Sequence, residues 1–329
     1  MSKRKVYFAR LANDKTISLL SELCDVRAWR GEGIAPREIL EMEIPDAEAV
    51  LGTIPWTAEL LDKSPRLRII ANISVGYDNI DPAMATERGI LLTNTPDVLT
   101  ETTADLAFAL ILMTARRLGE AERLVRAGRW RTINASQDIL GTDVHHATLG
   151  IVGLGRIGTA VANRAHGFHM RVLYTDNSVR REDLEAQFGY RFVDIDTLLA
   201  ESDFVSLHLP LTPDRKGMFG TAQFRKMKPS AFLINAARGA LVDESALIEA
   251  LREGRIAGAG LDIYEKEPAD PGNPLFSMEN VVTMPHIGAA TVATRQAICD
   301  LAAENVLAVF QGKPPLTPVN PEVFPRMRA

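Results

Sequence analysis

From residue 3 to about 98, short apolar and β-branched runs alternate with segments of helical spacing. Val6–Ala9, Val26–Trp29, Ala49–Leu51, Leu67–Ile73 and Ile90–Leu92 read as strands, and 15–23, 36–42, 57–63 and 82–88 as the helices between them. Pro36 and Pro82 stand where a first helical turn accepts proline, because the N–H it lacks has no partner there in any case. Strict alternation of strand and helix predicts a doubly wound parallel sheet. After Pro96–Thr103 a long apolar helix runs to about Leu118, with Thr100 and Thr103, or Thr102 and Asp105, as capping groups. Residues 119–147, with Trp130, His145 and His146, are polar and weakly periodic. An arm packed on a second subunit and a plain surface connection are both open readings of that stretch.

A second α/β series begins at Thr148. Strand-like runs follow at Arg171–Asp176, Phe204–Pro210, Ala231–Asn235, Ala257–Asp262 and Val281–Met284. One long helix is expected over 289–311, then a proline-rich, extended stretch from Pro314 to Ala329. The chain therefore reads as α/β, with two doubly wound parallel-sheet domains.

The chain has 329 residues, of which 46% are hydrophobic and 24% charged, as in an ordinary globular enzyme of about two domains. A net charge of −5 without a basic tract speaks against nucleic acid or an anionic membrane surface as partner. The apolar stretch Ala104–Ala115 contains Asp105 and is too short to span a bilayer. Cys24 and Cys299 form no C-x-x-C and fit a reducing compartment, so a cytoplasmic protein is expected. No metal site is expected, since the six histidines share no ligand spacing with carboxylates.

Two places carry chemistry. The run Thr148–Val152 leads into Gly153-Leu154-Gly155-Arg156-Ile157-Gly158 and a small-residue helix. In a dinucleotide site Gly153 would make the tight turn, Gly155 would let the backbone approach a pyrophosphate, and Gly158 would let helix and strand pack closely. Free N–H groups at the helix start would face the phosphates. Asp176 ends the next strand, about 20 residues on, where a carboxylate accepts from ribose hydroxyls and repels a 2′-phosphate. That favours NAD, although Arg180 and Arg181 just beyond could accommodate a phosphate and leave NADP open. The other place is the set of strand ends, where Thr212, Arg238, Asp262 and His286 fall. A histidine suits proton donation near neutral pH, a carboxylate such as Glu267 would orient it, and an arginine grips a carboxylate with two parallel bonds. Taken singly, each of these residues has an ordinary structural reading, and spacing alone does not bring them together.

The glycine run, Asp176, Asn235–Glu244, Gly260–Pro268 and Pro285-His286-Ile287-Gly288 together resemble the D-isomer-specific 2-hydroxyacid dehydrogenase family over nearly the whole chain. The resemblance implies a Rossmann cofactor domain, about 99–287, inserted into a flavodoxin-like substrate domain made of 1–98 and 288–329. It implies a homodimer, held through the long helix and an arm at about 119–147. It implies Arg238 as substrate-binding and carbonyl-polarising, Glu267 as partner of His286, and His286 as acid/base. Ser74–Asp81 looks like the substrate loop, with the backbone N–H groups of Val75 and Gly76 on the carboxylate. The cofactor contacts expected are Thr103, Gly153, Gly155, Arg156, Ile157, Gly158, Asp176, His208, Leu209, Pro210, Thr212, Ala236, Ala237, Arg238, Asp262, His286 and Gly288.

Ile73–Asp81 and Glu101–Ala107 look most like glyoxylate/hydroxypyruvate reductases and 2-ketogluconate reductases, so the expected reaction is reversible reduction of a small 2-oxo acid to the D-2-hydroxy acid. Those subfamilies mostly prefer NADPH and carry Arg or Ser at the end of strand two, where this chain has Asp176 followed by Asn177. Oxidation of phosphite is an alternative within the family, but phosphite dehydrogenase has a lysine where this chain has Val75 and a tyrosine where it has Leu140. Arg295 could supply some of the missing charge. An NAD(H)-sensing corepressor-like module is a further alternative, and it would need partner-binding extensions that this chain lacks.

Overall fold

The computed structural model describes residues 3–131, 139–176 and 180–327. Part of the expected arm, 132–138, and Asn177 lie outside the described residues. The chain divides into two units, Met1–Leu99 with Ala289–Ala329, and Thr100–Gly288.

The first unit carries five parallel strands: β1 (Arg4–Phe8), β2 (Cys24–Ala28), β3 (Ala49–Leu51), β4 (Ile69–Ala71) and β5 (Leu91–Thr93). Their order is β2-β1-β3-β4-β5, the flavodoxin-like winding. β3, β4 and β5 are wholly buried, as expected of parallel strands covered on both faces. One face packs Leu40, Ile44, Leu60, Leu61 and Ile80 against Val50 and Ile70. The helix Val292–Phe310 also belongs to this unit and buries Ile298, Ala302, Val306 and Val309. It begins later than the expected 289, because Thr291 caps it by accepting from the Thr294 N–H. The proline-rich tail is not extended throughout, since Pro321–Arg326 forms a 3₁₀ turn.

The second unit carries β6 (Thr148–Val152), β7 (Arg171–Thr175), β8 (Arg191–Phe192), β9 (Phe204–Leu207), β10 (Phe232–Asn235), β11 (Gly258–Leu261) and β12 (Val281–Thr283). All are parallel, in the order β12-β11-β10-β9-β6-β7-β8. Strand order reverses between β6 and β9, and in sheets of this winding ligands gather beyond the strand ends at such a point. The side chains of β6 sort by period two. Leu149 and Ile151 join the core under the helices Thr100–Ala115 and Arg156–Gly167, while Val152 joins the opposite core with Leu198 and Leu207. The long apolar helix ends at Ala115, not Leu118. Arg117 has φ of +50°, and a second helix, Leu118–Arg126, starts after it. Among the described residues no helix is long and apolar enough to cross a membrane.

Candidate active site

The three glycines of the motif have different surroundings. Gly153 turns the chain after β6 with φ of +96°, and its N–H donates to Thr175 O at 2.9 Å. A Cβ there would stand 2.9 Å from the His208 carbonyl oxygen, and one at Gly158 only 2.2 Å from the Gly153 oxygen. At Gly155, the cap of the helix Arg156–Gly167, a Cβ would meet nothing within 4 Å. Two glycines are thus required by the protein's own packing, and the third faces open space beside the first N–H groups of a twelve-residue helix. That arrangement fits a pyrophosphate lying across Gly155, Arg156 and Ile157.

Asp176, one residue beyond β7, accepts from the Leu154 N–H at 2.9 Å, which ties it to the glycine turn. Arg180 and Arg181 are committed elsewhere. Arg180 grips Glu185 with Nε at 2.9 Å and Nη2 at 2.6 Å, and Arg181 grips Asp183 at 2.9 and 2.8 Å. Arg180, with the Tyr174 hydroxyl donating at 2.8 Å, holds the Glu185 carboxyl down to about 2.

His208, Leu209, Pro210 and Thr212 follow β9 on the other side of the reversal point. The His208 ring lies 2.8 Å from Ser206 Oγ, and desolvation pushes its pKa down to about 4, so the imidazole is neutral at pH 7. Thr103, in the first turns of the helix Thr100–Ala115, stands with Asp262 around Gly288. A Cβ on Gly288 would be 3.1 Å from Asp262 Oδ2 and 3.5 Å from Thr103 Cγ2.

The three acid/base and binding candidates come together at the ends of β10, β11 and β12. Asn235 ends β10 and is 1% exposed. Its Nδ2 donates to the Arg238 oxygen at 2.9 Å, and its Oδ1 accepts from the Ala237 N–H at 3.1 Å. The buried amide thereby shapes Ala236-Ala237-Arg238. Gly239 lies directly on the peptide after Tyr264, where a Cβ would be 1.8 Å from the Tyr264 oxygen. The Tyr264 N–H donates to Glu267 Oε1 at 3.1 Å, and the Tyr264 hydroxyl donates to Met284 O at 3.0 Å, two residues before His286.

Glu267 Oε2 is 2.6 Å from His286 Nδ1. Burial would raise Glu267, but the His286 bond and charge, the Tyr264 N–H and the Arg238 charge hold it below the ordinary carboxylate range. An ionised carboxylate only accepts, so Nδ1 carries the proton and Nε2 is left as the position for proton exchange. His286 has φ of +53°, a left-handed backbone that residues other than glycine seldom adopt. Asp262 holds it there: its two oxygens accept from Ile287 N at 2.7 Å and Gly288 N at 2.8 Å, and its carbonyl accepts from His286 N at 2.8 Å. Burial raises the Asp262 pKa against those two N–H bonds.

In the first unit, Val75 and Gly76 sit in the loop after β4. The Val75 carbonyl accepts from Asn94 Nδ2 at 2.8 Å, and the Gly76 carbonyl accepts from Asn72 Nδ2 at 2.8 Å and Ser74 Oγ at 2.6 Å. Among the described residues no set of His, Cys, Asp or Glu is arranged to hold a metal. Asn235, Gly239 and Tyr264 lie in the runs that carry the family resemblance but had no role of their own in the sequence, and Asn72 and Asn94 were not singled out at all. The one available signal was an asparagine closing a strand just before Ala-Ala-Arg-Gly.

A family model, "D-isomer specific 2-hydroxyacid dehydrogenase, NAD binding domain", matches residues 108–288. The chain is 48% identical over 323 residues to a glyoxylate reductase of Korarchaeum cryptofilum, covering 98% of this chain and 97% of the relative. It is 53% identical over 280 residues to a glyoxylate/hydroxypyruvate reductase B of Shigella boydii, covering 84% and 86%. A crystal structure of an NADPH-dependent glyoxylate/hydroxypyruvate reductase from Sinorhizobium meliloti, in complex with NADP and malonate, matches with a TM-score of 0.86 at 33% identity over 100% of this chain and 99% of that one. Likeness of this extent in both sequence and fold leaves one assignment: the chain belongs to the D-isomer-specific 2-hydroxyacid dehydrogenase family and is an NAD(P)-dependent oxidoreductase.

Proposed function

We propose that the enzyme reversibly reduces a small 2-oxo acid to the D-2-hydroxy acid, with glyoxylate, hydroxypyruvate and 2-ketogluconate as candidate substrates. The observation that carries this reading is the 2.6 Å pairing of His286 with the ionised Glu267, within the electrostatic reach of Arg238. With Nδ1 committed to Glu267, His286 Nε2 gives a proton to the substrate carbonyl oxygen during reduction and takes it back in the reverse direction. Glu267 fixes the ring and offsets its charge while it is protonated. Arg238 binds the substrate and polarises its carbonyl. The backbone N–H groups of Val75 and Gly76 are the proposed carboxylate-binding groups of the first unit. The bound nicotinamide cofactor supplies or accepts the hydride. Gly153, Gly155, Arg156, Ile157 and Gly158 seat its pyrophosphate, and Asp176 accepts from its ribose hydroxyls. Thr103, His208, Leu209, Pro210, Thr212, Ala236, Ala237, Asp262 and Gly288 line the rest.

NAD is the preferred cofactor in this reading. A carboxylate at Asp176 repels a 2′-phosphate, and the two arginines that could have held one are paired with Glu185 and Asp183. The neutral Val75 favours an oxo acid over phosphite, and the intact His286–Glu267 pair favours an enzyme over a sensing module. We also place the protein in the cytoplasm, with its two buried thiols free. A homodimer is supported by Leu118, Val125, Trp130 and Leu140, which are 46%, 55%, 62% and 69% exposed around the expected arm.

The test is a panel of glyoxylate, hydroxypyruvate, 2-ketogluconate, pyruvate and phosphite, each with NAD(H) and NADP(H). Turnover of a 2-oxo acid with NADH is expected, and His286→Ala should lose ~10²–10⁴-fold in kcat while still binding NADH. Full turnover by His286→Ala would remove the proposed proton donor.

A further inference from the structure

We infer that Asn94, together with Ser74 and Asn72, is a positioning residue that aims the backbone N–H groups of the loop at the substrate carboxylate and so sets affinity for acid substrates. The inference rests on the carboxylate reading of Val75 and Gly76 given above. It follows from how the peptides of this loop are held. In a trans peptide the N–H points away from the carbonyl of the same peptide, so fixing one fixes the other. Three successive carbonyls are tied down. The Ser74 carbonyl accepts from the Thr95 N–H at 3.1 Å, which turns the Val75 N–H outward. The Val75 carbonyl accepts from Asn94 Nδ2 at 2.8 Å, which turns the Gly76 N–H outward. The Gly76 carbonyl accepts from Asn72 and Ser74, which does the same for Tyr77.

Neither the Val75 nor the Gly76 N–H donates to any acceptor among the described residues. A loop that ties down three successive carbonyls and leaves the Val75 and Gly76 N–H groups without an acceptor is built to receive an anion. Asn94 is itself anchored from behind. Its N–H donates to Thr317 O at 3.2 Å and its carbonyl accepts from Thr317 Oγ1 at 2.6 Å, so its side chain is the only part left to act on the loop. Asn72 is fully buried and also meets Asn79 at 3.3 Å, whereas Asn94 and Ser74 are only partly buried and are the places to intervene.

The experiment compares wild type, Asn94→Ala, Asn94→Asp and Ser74→Ala as full-length enzymes, with glyoxylate as the probe and NADH binding followed by fluorescence. For Asn94→Ala the KM for glyoxylate should rise ~10-fold, with kcat at saturation and the NADH Kd within ~3-fold of wild type, because binding is lost equally in the ground and transition states. Ser74→Ala should show a smaller rise of the same kind, since Asn72 still holds the Gly76 carbonyl. For Asn94→Asp, an ionised carboxylate has no proton to give the Val75 carbonyl and a protonated one has. Its KM should therefore fall back toward that of wild type as the pH is lowered toward about 5, a response that loss of packing would not produce. Unchanged KM in Asn94→Ala and Ser74→Ala, or parallel loss of kcat and NADH affinity in both, overturns the inference. If wild type itself reduces no 2-oxo acid, the reading of the loop as a carboxylate site falls and this inference falls with it. Wild-type turnover with unaltered variants overturns the positioning role alone.

Discussion

Alanine at Gly239 tests whether the relative placement of Arg238 and the His286–Glu267 pair matters. The new Cβ would stand 1.8 Å from the Tyr264 carbonyl oxygen, 2.0 Å from its carbon and 2.6 Å from the Glu265 nitrogen, all backbone atoms. Real Cβ contacts stay above 3.0 Å, so the two segments must separate by at least 1.2 Å, the difference between 3.0 and 1.8. Arg238 is covalently next to Gly239, and Tyr264 is the residue whose N–H holds Glu267, so the separation falls between the guanidinium and the pair it serves. A misplacement of ~1 Å costs on the order of 10²-fold in rate. Overpacking adds a stability loss of ~1–3 kcal/mol. For a unit of this size that lowers Tm by about 2–12 °C. Steady-state kcat/KM for glyoxylate, an NADH titration and a thermal melt separate the two effects. The expected result is ~10²-fold lower kcat/KM in a folded protein that still binds NADH. A kcat/KM within ~3-fold of wild type would refute the idea that this contact sets the site.

Three other predictions are open to direct measurement. Replacing Asp176 by Ser together with Glu185→Gln removes the repelling carboxylate and frees Arg180, so the NADPH/NADH ratio of kcat/KM should rise ~10²-fold; an unmoved ratio would place cofactor choice elsewhere. The His208 pKa is depressed in the fold, so as pH falls below 6.5 the unfolded chain takes the proton first, and stability present above 6.5 is lost progressively down to about 4. The loss is at most ~3 kcal/mol, and urea midpoints at about pH 7.5 and 4.5 should differ more for wild type than for His208→Gln; equal differences would discount His208. Val125→Asp with Leu140→Asp should halve the sedimenting mass if these exposed side chains form the proposed dimer contact, and an unchanged mass would put the contact on another face.

The doubly wound sheets were legible because parallel strands buried on both sides leave near-continuous apolar runs, as in the wholly buried Thr148–Val152. The strand Arg191–Phe192 was not, since two exposed residues at a sheet edge carry no periodicity. The break after Ala115 was missed for a related reason: the left-handed turn at Arg117 interrupts a composition that reads as continuing helix. In the site, the glycine motif was readable because Gly153 and Gly158 answer steric demands of the chain itself and Gly155 leaves the helix start open. The buried amides of Asn72 and Asn235 were not, because what an amide does depends on which carbonyl folds back to face it. Arg180 and Arg181 show the same limit. The sequence left them open to a phosphate, and only side-chain geometry shows them paired with Glu185 and Asp183.

The division of the first unit between the two ends of the chain has a consequence for how the protein is made. Residues 1–99 leave the ribosome long before 289–329, yet the sheet they form needs Ile298, Ala302, Val306 and Val309 against it. In β5 the Leu92 N–H also donates to Asn320 Oδ1 at 2.7 Å, and the Leu92 carbonyl accepts from the Val319 N–H at 2.8 Å. The contiguous second unit has all its strands once residue 288 has been synthesised, so it can fold first while the nascent first unit still exposes apolar surface. A premature stop after Gly288 but before the last helix would therefore yield a chain with a finished nucleotide fold and an N-terminal segment open to chaperones and proteases, and Asn94 would have no Thr317 to anchor it.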